Sequence, residues 1–294
     1  MKRSIFLAGA LSSVLAVRRR ASAQPELETL LRPAIAMIPG NVGVFARTMT
    51  DGPPLVAYNA HVSFPSASTI KMLIMLTAFR LAEADPGVMR SKVRFNSSEL
   101  IGGSDFMAPN ASDGELFTVH ELIVPMIQVS DNTASNMLIT HFGMDEINAV
   151  TRRAGLLNTQ LKHRFIDTAE VIPHMANRTT PADMARLLYQ IERGTREGIP
   201  TVASPVSCRR MIDIMLGQTD RDTIPKGVPR GVKVANKTGE VSRSRSDVAI
   251  VDPFGDSPYV LSVYTSGLDA PEDAYDGIAR ISKIIYGRVA GTDL

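Results

Sequence analysis

The stretch that most constrains this chain runs from Phe64 to Leu76 and reads Phe-Pro-Ser-Ala-Ser-Thr-Ile-Lys-Met-Leu-Ile-Met-Leu. Pro65 and two small residues precede a run of Met, Leu, Ile and Ala that ends at Glu83, which predicts a mostly buried helix starting near Ser68. At a helix start the backbone N–H groups lack partners and the dipole is positive, so a hydroxyl there faces a site for negative charge. Lys71 follows three residues after Ser68 and shares its face. A serine hydroxyl becomes a nucleophile when a neighbouring base takes its proton, and a lysine kept neutral by desolvation or by a second cation can be that base. The pair Ser-x-x-Lys also arises by chance, so it needs support from elsewhere in the chain.

Two further runs supply it, Ser130-Asp131-Asn132 and Lys237-Thr238-Gly239. Alone, a Ser-Asp-Asn run reads as a helix cap or turn, because all three residue types favour such positions. In this order and at these separations, however, the three runs match the motif set of serine β-lactamases and penicillin-binding proteins. Their flanks agree: Thr118 to Ile123, Val129 to Asn136, and Val232 to Gly239 ahead of Ser246 to Val251. Together these stretches resemble the class A β-lactamase family over nearly the whole chain beyond its leader.

The resemblance implies a role for each position. Ser68 attacks an amide or ester carbonyl and becomes acylated, with Lys71 as general base. The backbone N–H groups of Ser68 and Glu240 hold the charge that develops on oxygen, and Gly239 lets substrate approach the strand. Ser130 relays a proton to the leaving group, and Asn132 holds a substrate amide. Lys237 places a fixed positive charge beside Lys71, lowering its basicity and attracting an anionic substrate, while Thr238 offers a hydroxyl to a carboxylate. Alternation along Ser242 to Ser246 puts Arg243 and Arg245 on one strand face. Arg245 matches a position that binds the substrate carboxylate; a solvated surface charge is the alternative.

One tract departs from the family. Class A enzymes carry a glutamate, closely followed by Leu-Asn, in the loop after the Ser-Asp-Asn helices, where it activates the deacylating water. Here Ile166 falls at that place if Arg164 is the anchor, and no Leu-Asn follows. The tract is similar instead to the branch called β-lactamase-related serine hydrolases. Asp167 or Glu170 remains a candidate deacylation base; the alternative is a structural carboxylate paired with Arg164 or Arg178. Whether Lys71 or a loop carboxylate deprotonates Ser68 stays open. The expected function is a serine hydrolase that acylates with β-lactams and deacylates slowly. The alternatives are a D-Ala-D-Ala peptidase or small-ester hydrolase on the same scaffold, or a non-catalytic β-lactam-binding protein.

The remaining sequence sets the frame. With 294 residues, 44% of them hydrophobic, the chain can bury a substantial core. A net charge of +2, without a basic stripe, gives no argument for nucleic acid. Residues 1–23 read as an export signal: Lys2 and Arg3, an apolar run from Ile5 to Val17, and Ala21-Ser22-Ala23 before the cut. The run is too short to span a membrane, and a periplasmic or secreted monomer is expected, despite the unusual Arg18 to Arg20 that would also suit a retained amphipathic anchor. Cys208 is the single cysteine, so no disulfide forms within the chain, and it reads as a buried thiol. Five scattered histidines, and Val124 where a second histidine would follow His120-Glu121, point to no metal, and no cofactor is expected.

Strand patterns at Asn41 to Thr48, Leu55 to Tyr58, Gly231 to Lys237, Asp247 to Val251 and Tyr259 to Ser266 flank a long helical middle. Helices are also expected over Glu26 to Met37 and Pro271 to Tyr286. This is an α+β pattern: an antiparallel sheet from both chain ends, flanked by helices, with an inserted all-helical lobe. The expected division of residues 24–294 is an α/β lobe over about 24–65 and 218–294 and a helical lobe over about 66–217.

Overall fold

The computed structural model describes residues 26–165 and 176–292, so the expected leader, Ile166, Asp167 and Glu170 lie outside the described residues. Along the chain, α1 (residues 26–36) leads into β1 (Asn41–Thr48), β2 (Val56–Tyr58) and the short β3 (Phe64–Pro65). Then come α2 (Lys71–Ala84), β4 (Lys92–Arg94), α3 (Met107–Asn110), β5 (Leu116–Thr118), α4 (Val119–Gln128), α5 (Asn132–Phe142) and α6 (Met144–Arg153). After β6 (Arg178–Thr179) follow α7 (Pro181–Glu197), α8 (Pro205–Met215), β7 (Val234–Val241), β8 (Ser244–Val251), β9 (Tyr259–Ser266) and α9 (Tyr275–Ala290).

The main sheet is five-stranded and antiparallel in the order β2-β1-β9-β8-β7, so both chain ends build it as the sequence predicts. Every residue of β8 is buried, and the two-residue period divides its side chains between two cores. Ala249 and Val251 join Val44, Leu261 and Val263 under α1 and α9, which contribute Leu27, Leu31, Ile278, Ile281 and Ile285. Val248 and Ile250 join Val260 and Tyr264 on the opposite face, against a helical core that includes Leu73, Met126, Leu138, Leu188 and Met211. Helix α2 is the centre of that core. Its residues from Lys71 to Phe79 are all buried, which suits a helix apolar nearly all round.

Helix starts follow local chemistry. Thr118 and Glu121 form a capping box on α4, with Glu121 N donating to Thr118 Oγ1 at 3.1 Å and Thr118 N to Glu121 Oε2 at 2.7 Å. Thr180-Pro181 and Ser204-Pro205 pair an oxygen cap with proline at the first helical position of α7 and α8.

Two boundaries differ from expectation in ways that matter for the site. The helix expected from Ser68 starts at Lys71, after a 3₁₀ turn over Ala67–Ile70. Thr69 drives the tighter winding, because its N–H and its Oγ1 both donate to Ser66 O, at 3.0 and 2.6 Å. Lys71 closes this turn, donating its backbone N–H to Ser68 O, so the two residues stand on successive turns of one segment. The strands expected to stop at Lys237 and restart at Asp247 instead run on as a hairpin, with Gly239 opposite Ser246, Glu240 opposite Arg245 and Val241 opposite Ser244. Arg243 therefore sits with Ser242 in the connecting turn, where the pleat is interrupted, and does not share a strand face with Arg245.

Candidate active site

Ser68 is presented by a segment held from three sides. Ser66 N donates to Asn177 O at 2.8 Å, fixing the approach to the turn. Thr69 Oγ1 lies 2.6 Å from the hydroxyl of Tyr264, a fully buried residue of β9. Gly239 of β7 lies so close that a Cβ there would stand 3.0 Å from Ser66 O and 3.1 Å from both Ala67 Cβ and Thr69 Cγ2. Ala67 has φ +44°, a conformation that a non-glycine residue keeps only where its surroundings impose it.

Two lysines converge on one hydroxyl. Lys71 and Lys237 are both fully buried, which is rare for lysine without a dedicated partner set. Ser130 Oγ lies 3.0 Å from Lys71 Nζ and 3.0 Å from Lys237 Nζ. Lys71 Nζ also donates to Ser130 O and, at 2.7 Å, to Asn132 Oδ1. Lys237 Nζ donates to Thr238 O at 2.7 Å. Burial holds the Lys71 amine well below the usual lysine range, and the charge of Lys237 lowers it further against an opposing pull from Asp131. Burial also pushes Lys237 down to about 7, against the raising influence of Asp247 and Asp220.

The run Ser130-Asp131-Asn132 serves structure and chemistry at once. Asp131 caps α5, accepting from Ala134 N at 2.8 Å, while its other oxygen accepts from Phe106 N and Met107 N at 3.1 and 2.9 Å. That buried anchor turns its two neighbours toward the lysines, with Ser130 held at φ +60°. Asn132 is fixed at its other end by donating from Nδ2 to Gly102 O at 2.8 Å.

Phe165, which no motif marked, stands against Lys71. Its ring centroid lies 4.4 Å from Lys71 Nζ. Asn136 holds its backbone from both ends, accepting from Phe165 N at 2.8 Å and donating to Phe165 O at 2.9 Å. Asn177 anchors the preceding residues, accepting from Lys162 N and His163 N at 2.7 and 3.1 Å. The aromatic ring thus occupies the side of Lys71 that faces the start of the loop. In the sequence the tract of Phe165 stood out only through its similarity to the β-lactamase-related serine hydrolases, where an aromatic residue precedes an Asp.

A cavity of about 640 Å³ opens beside Ser68, bounded by Asn132, Phe165, Arg178 and the hairpin from Glu240 to Ser244. Arg245 lies behind the wall of this cavity, near enough for its charge to lower the basicity of Lys237. Its side chain is 3% exposed and donates to Asp220 Oδ2 at 2.6 Å and Glu240 Oε2 at 2.7 Å, with the Tyr275 ring centroid 4.5 Å away. Tyr275 OH donates to the same Glu240 oxygen at 3.1 Å. Thr238 lies opposite Asp247 in the hairpin. Asp247 is fully buried, accepts from Thr223 Oγ1 at 2.7 Å and Asn236 Nδ2 at 3.1 Å, and is pushed up to about 6 by burial. The structure therefore brings Ser68, Lys71, Ser130, Asn132, Lys237, Gly239 and Glu240 together, and ties Arg245 into an ionic cluster with Asp220 and Glu240 beside Lys237.

Solved structures share this fold over almost the whole chain. A beta-lactamase from Burkholderia phymatum superposes with a TM-score of 0.80 at 26% identity, covering 91% of this chain and 99% of that one. One from Streptosporangium roseum gives 0.79 at 26% identity, over 92% and 99%. A mutant of PBP-A, solved as its acyl-enzyme complex with penicillin G, gives 0.78 at 24% identity, over 91% and 97%. The profile of the Beta-lactamase enzyme family matches residues 25–289, and with that match and the convergence of the three motifs in one site, the chain belongs to the beta-lactamase enzyme family.

Proposed function

We propose that this protein is an exported serine hydrolase that opens β-lactams through an acyl-enzyme on Ser68 and releases the product slowly. The observation that carries the reading is the convergence of two buried lysines on the Ser130 hydroxyl, each at 3.0 Å. Neutral Lys71 takes the proton of Ser68 as its oxygen bonds to the carbonyl carbon. The N–H groups of Ser68 and Glu240 receive the oxyanion. When the C–N bond breaks, Ser130 donates its proton to the departing nitrogen and is refilled from Lys71, so Lys71 ends the step neutral again. Lys237, in its charged form, holds the substrate anion.

Release needs a water and a base beside the acyl carbonyl. Among the described residues, Lys71 meets Ser130, Asn132 and the Phe165 ring, and the ring offers neither a lone pair nor a site for water; the candidate bases Asp167 and Glu170 lie outside the described residues. The same observation favours a second reading, a D-Ala-D-Ala peptidase or ester hydrolase on which β-lactams act as slow substrates. Parallel assays separate the two. A Ser68-dependent burst with a penicillin, followed by a slow steady state that exceeds turnover of a D-Ala-D-Ala peptide and a small ester, supports the first reading. Faster turnover of the peptide or ester supports the second.

The tight fit at Gly239 yields a further expected outcome. In Gly239→Ala the new methyl group presses on the backbone of Ser66 and on Ala67, which cannot swing aside as a flexible side-chain end would. Strand β7 is expected to move away from Ser68, carrying the Glu240 N–H with it. A shift of this size is expected to slow acylation by less than the ~10²-fold that a full misplacement of about 1 Å can cost. Acylation rate, measured beside a circular dichroism spectrum that stays native, checks this.

A further inference from the structure

We propose that the cavity beside Ser68 selects acyl donors whose acyl side chain carries a second negative charge, and that Arg243 is the residue that recognises it. The inference rests on the acyl-enzyme reading above and deepens it.

The direction of the cavity comes first. Its wall includes Ser68, Asn132 and the hairpin residues Glu240 to Ser244, whereas Ser130, Lys237 and Thr238 are not part of it. Ser130 serves the leaving group, so the cavity extends from the nucleophile to the other side of the carbonyl, where the acyl portion of the substrate lies. Asn132, the amide holder, sits on that same side.

The charge of the wall comes next. Among the described residues it carries Arg178 and Arg243 against a single carboxylate, Glu240. That carboxylate is already engaged by Arg245 at 2.7 Å and by the Tyr275 hydroxyl at 3.1 Å, so it does little to offset the two arginines. Arg178 is fixed by Ser63, donating from Nε to Oγ at 2.7 Å and from Nη2 to the carbonyl at 2.6 Å, and these neutral partners position its charge without cancelling it. Arg243 rides in the β7–β8 turn with its side chain 66% exposed, and its ion pair with Asp269 is 3.9 Å long with that carboxylate 93% exposed. Such a pair is weak and easily exchanged for a substrate carboxylate. A guanidinium in that position can grip a carboxylate through two parallel hydrogen bonds. Arg245 cannot compete for this role, because Asp220, Glu240 and Tyr275 occupy its faces.

The test compares benzylpenicillin with carbenicillin, which differs from it by a carboxylate on the acyl side chain. The acylation rate constant of each is measured by intact mass for the full chain, for Arg243→Ala and for Arg243→Lys. The wild-type protein is expected to favour carbenicillin by about fivefold to tenfold, the size of one partly solvated charge pair. Arg243→Ala is expected to remove most of the preference, leaving the smaller share that Arg178 supplies, Arg243→Lys to retain most of it, and high salt to shrink it in the wild type. An adduct with both drugs whose rate ratio is the same in Arg243→Ala as in wild type would overturn this inference alone. No adduct with either drug would overturn the acyl-enzyme reading, and this inference with it.

Discussion

Lys71→Met slows acylation of Ser68 by about 10²–10⁴-fold, the contribution typical of a positioned general base. Methionine matches the length and apolar surroundings of the lysine stem, so the side chain is replaced without opening a large cavity. Ser130 O and Asn132 Oδ1 lose the donor they share, which costs at most about 1–3 kcal/mol of stability because both residues are only half-buried. The variant still folds on that account, and the loss appears in the chemical step. The pH dependence carries the same assignment. A base works only when neutral, so acylation rises with pH through the pKa of Lys71 and then levels off. Burial, and secondarily Lys237, hold that pKa well below the lysine range, so the plateau arrives earlier than an exposed lysine would allow. Removing the charge in Lys237→Met raises the pKa of Lys71 and moves the rising limb to higher pH. Lys237 itself, pushed down to about 7, loses its charge above neutrality, so capture of anionic substrates weakens there while a neutral ester keeps the rising limb alone.

Phe165→Glu shortens the life of the acyl-enzyme by about 10²–10⁴-fold. Asn136 grips the backbone of residue 165 through both its N–H and its C=O, and neither bond involves the side chain. A glutamate there is delivered to the place that the ring now fills, against Lys71 and within the cavity that holds Ser68. It brings the acceptor that can activate a water and makes room for that water. The substitution has an opposing effect on the first step, since a carboxylate beside Lys71 raises its pKa and shifts the rising limb of acylation upward. Single-turnover decay of a preformed penicillin adduct separates the two steps. Acylation that persists with an unchanged adduct lifetime would remove Phe165 from the account.

The parts of this site that short sequence motifs reveal are those that a single turn or strand positions. Ser68 lies in the 3₁₀ turn that Lys71 closes, Ser130 and Asn132 flank one helix cap, and Lys237 and Gly239 lie on one strand, so each group was legible before the fold was known. Most of the sheet was legible too, because β1, β9 and the Val248 to Val251 end of β8 carry apolar strand patterns at the chain ends, whereas the polar start of β8 from Ser244 to Asp247 gave no such signal. Phe165 was not, since its meaning comes from Asn136, which lies 29 residues earlier. The fate of Arg245 was equally hidden. Its partners Asp220, Glu240 and Tyr275 come from a loop, a neighbouring strand and the start of α9, and only their convergence turns a candidate ligand for substrate into a member of an ion cluster. Helix α2 began three residues late because Thr69 bonds back to Ser66, a competition between side chain and backbone that periodicity does not register.

The most direct measurement is intact mass against time for the wild-type chain, Ser68→Ala and Phe165→Glu after a pulse of benzylpenicillin and removal of the free drug. The wild type is expected to carry one adduct, on the peptide that contains Ser68, outlasting its own formation many times over. No adduct is expected on Ser68→Ala and a short-lived one on Phe165→Glu. Rapid hydrolysis of the drug by the wild type without an accumulating adduct, or an adduct that survives Ser68→Ala, would contradict an acyl-enzyme on Ser68 that releases slowly.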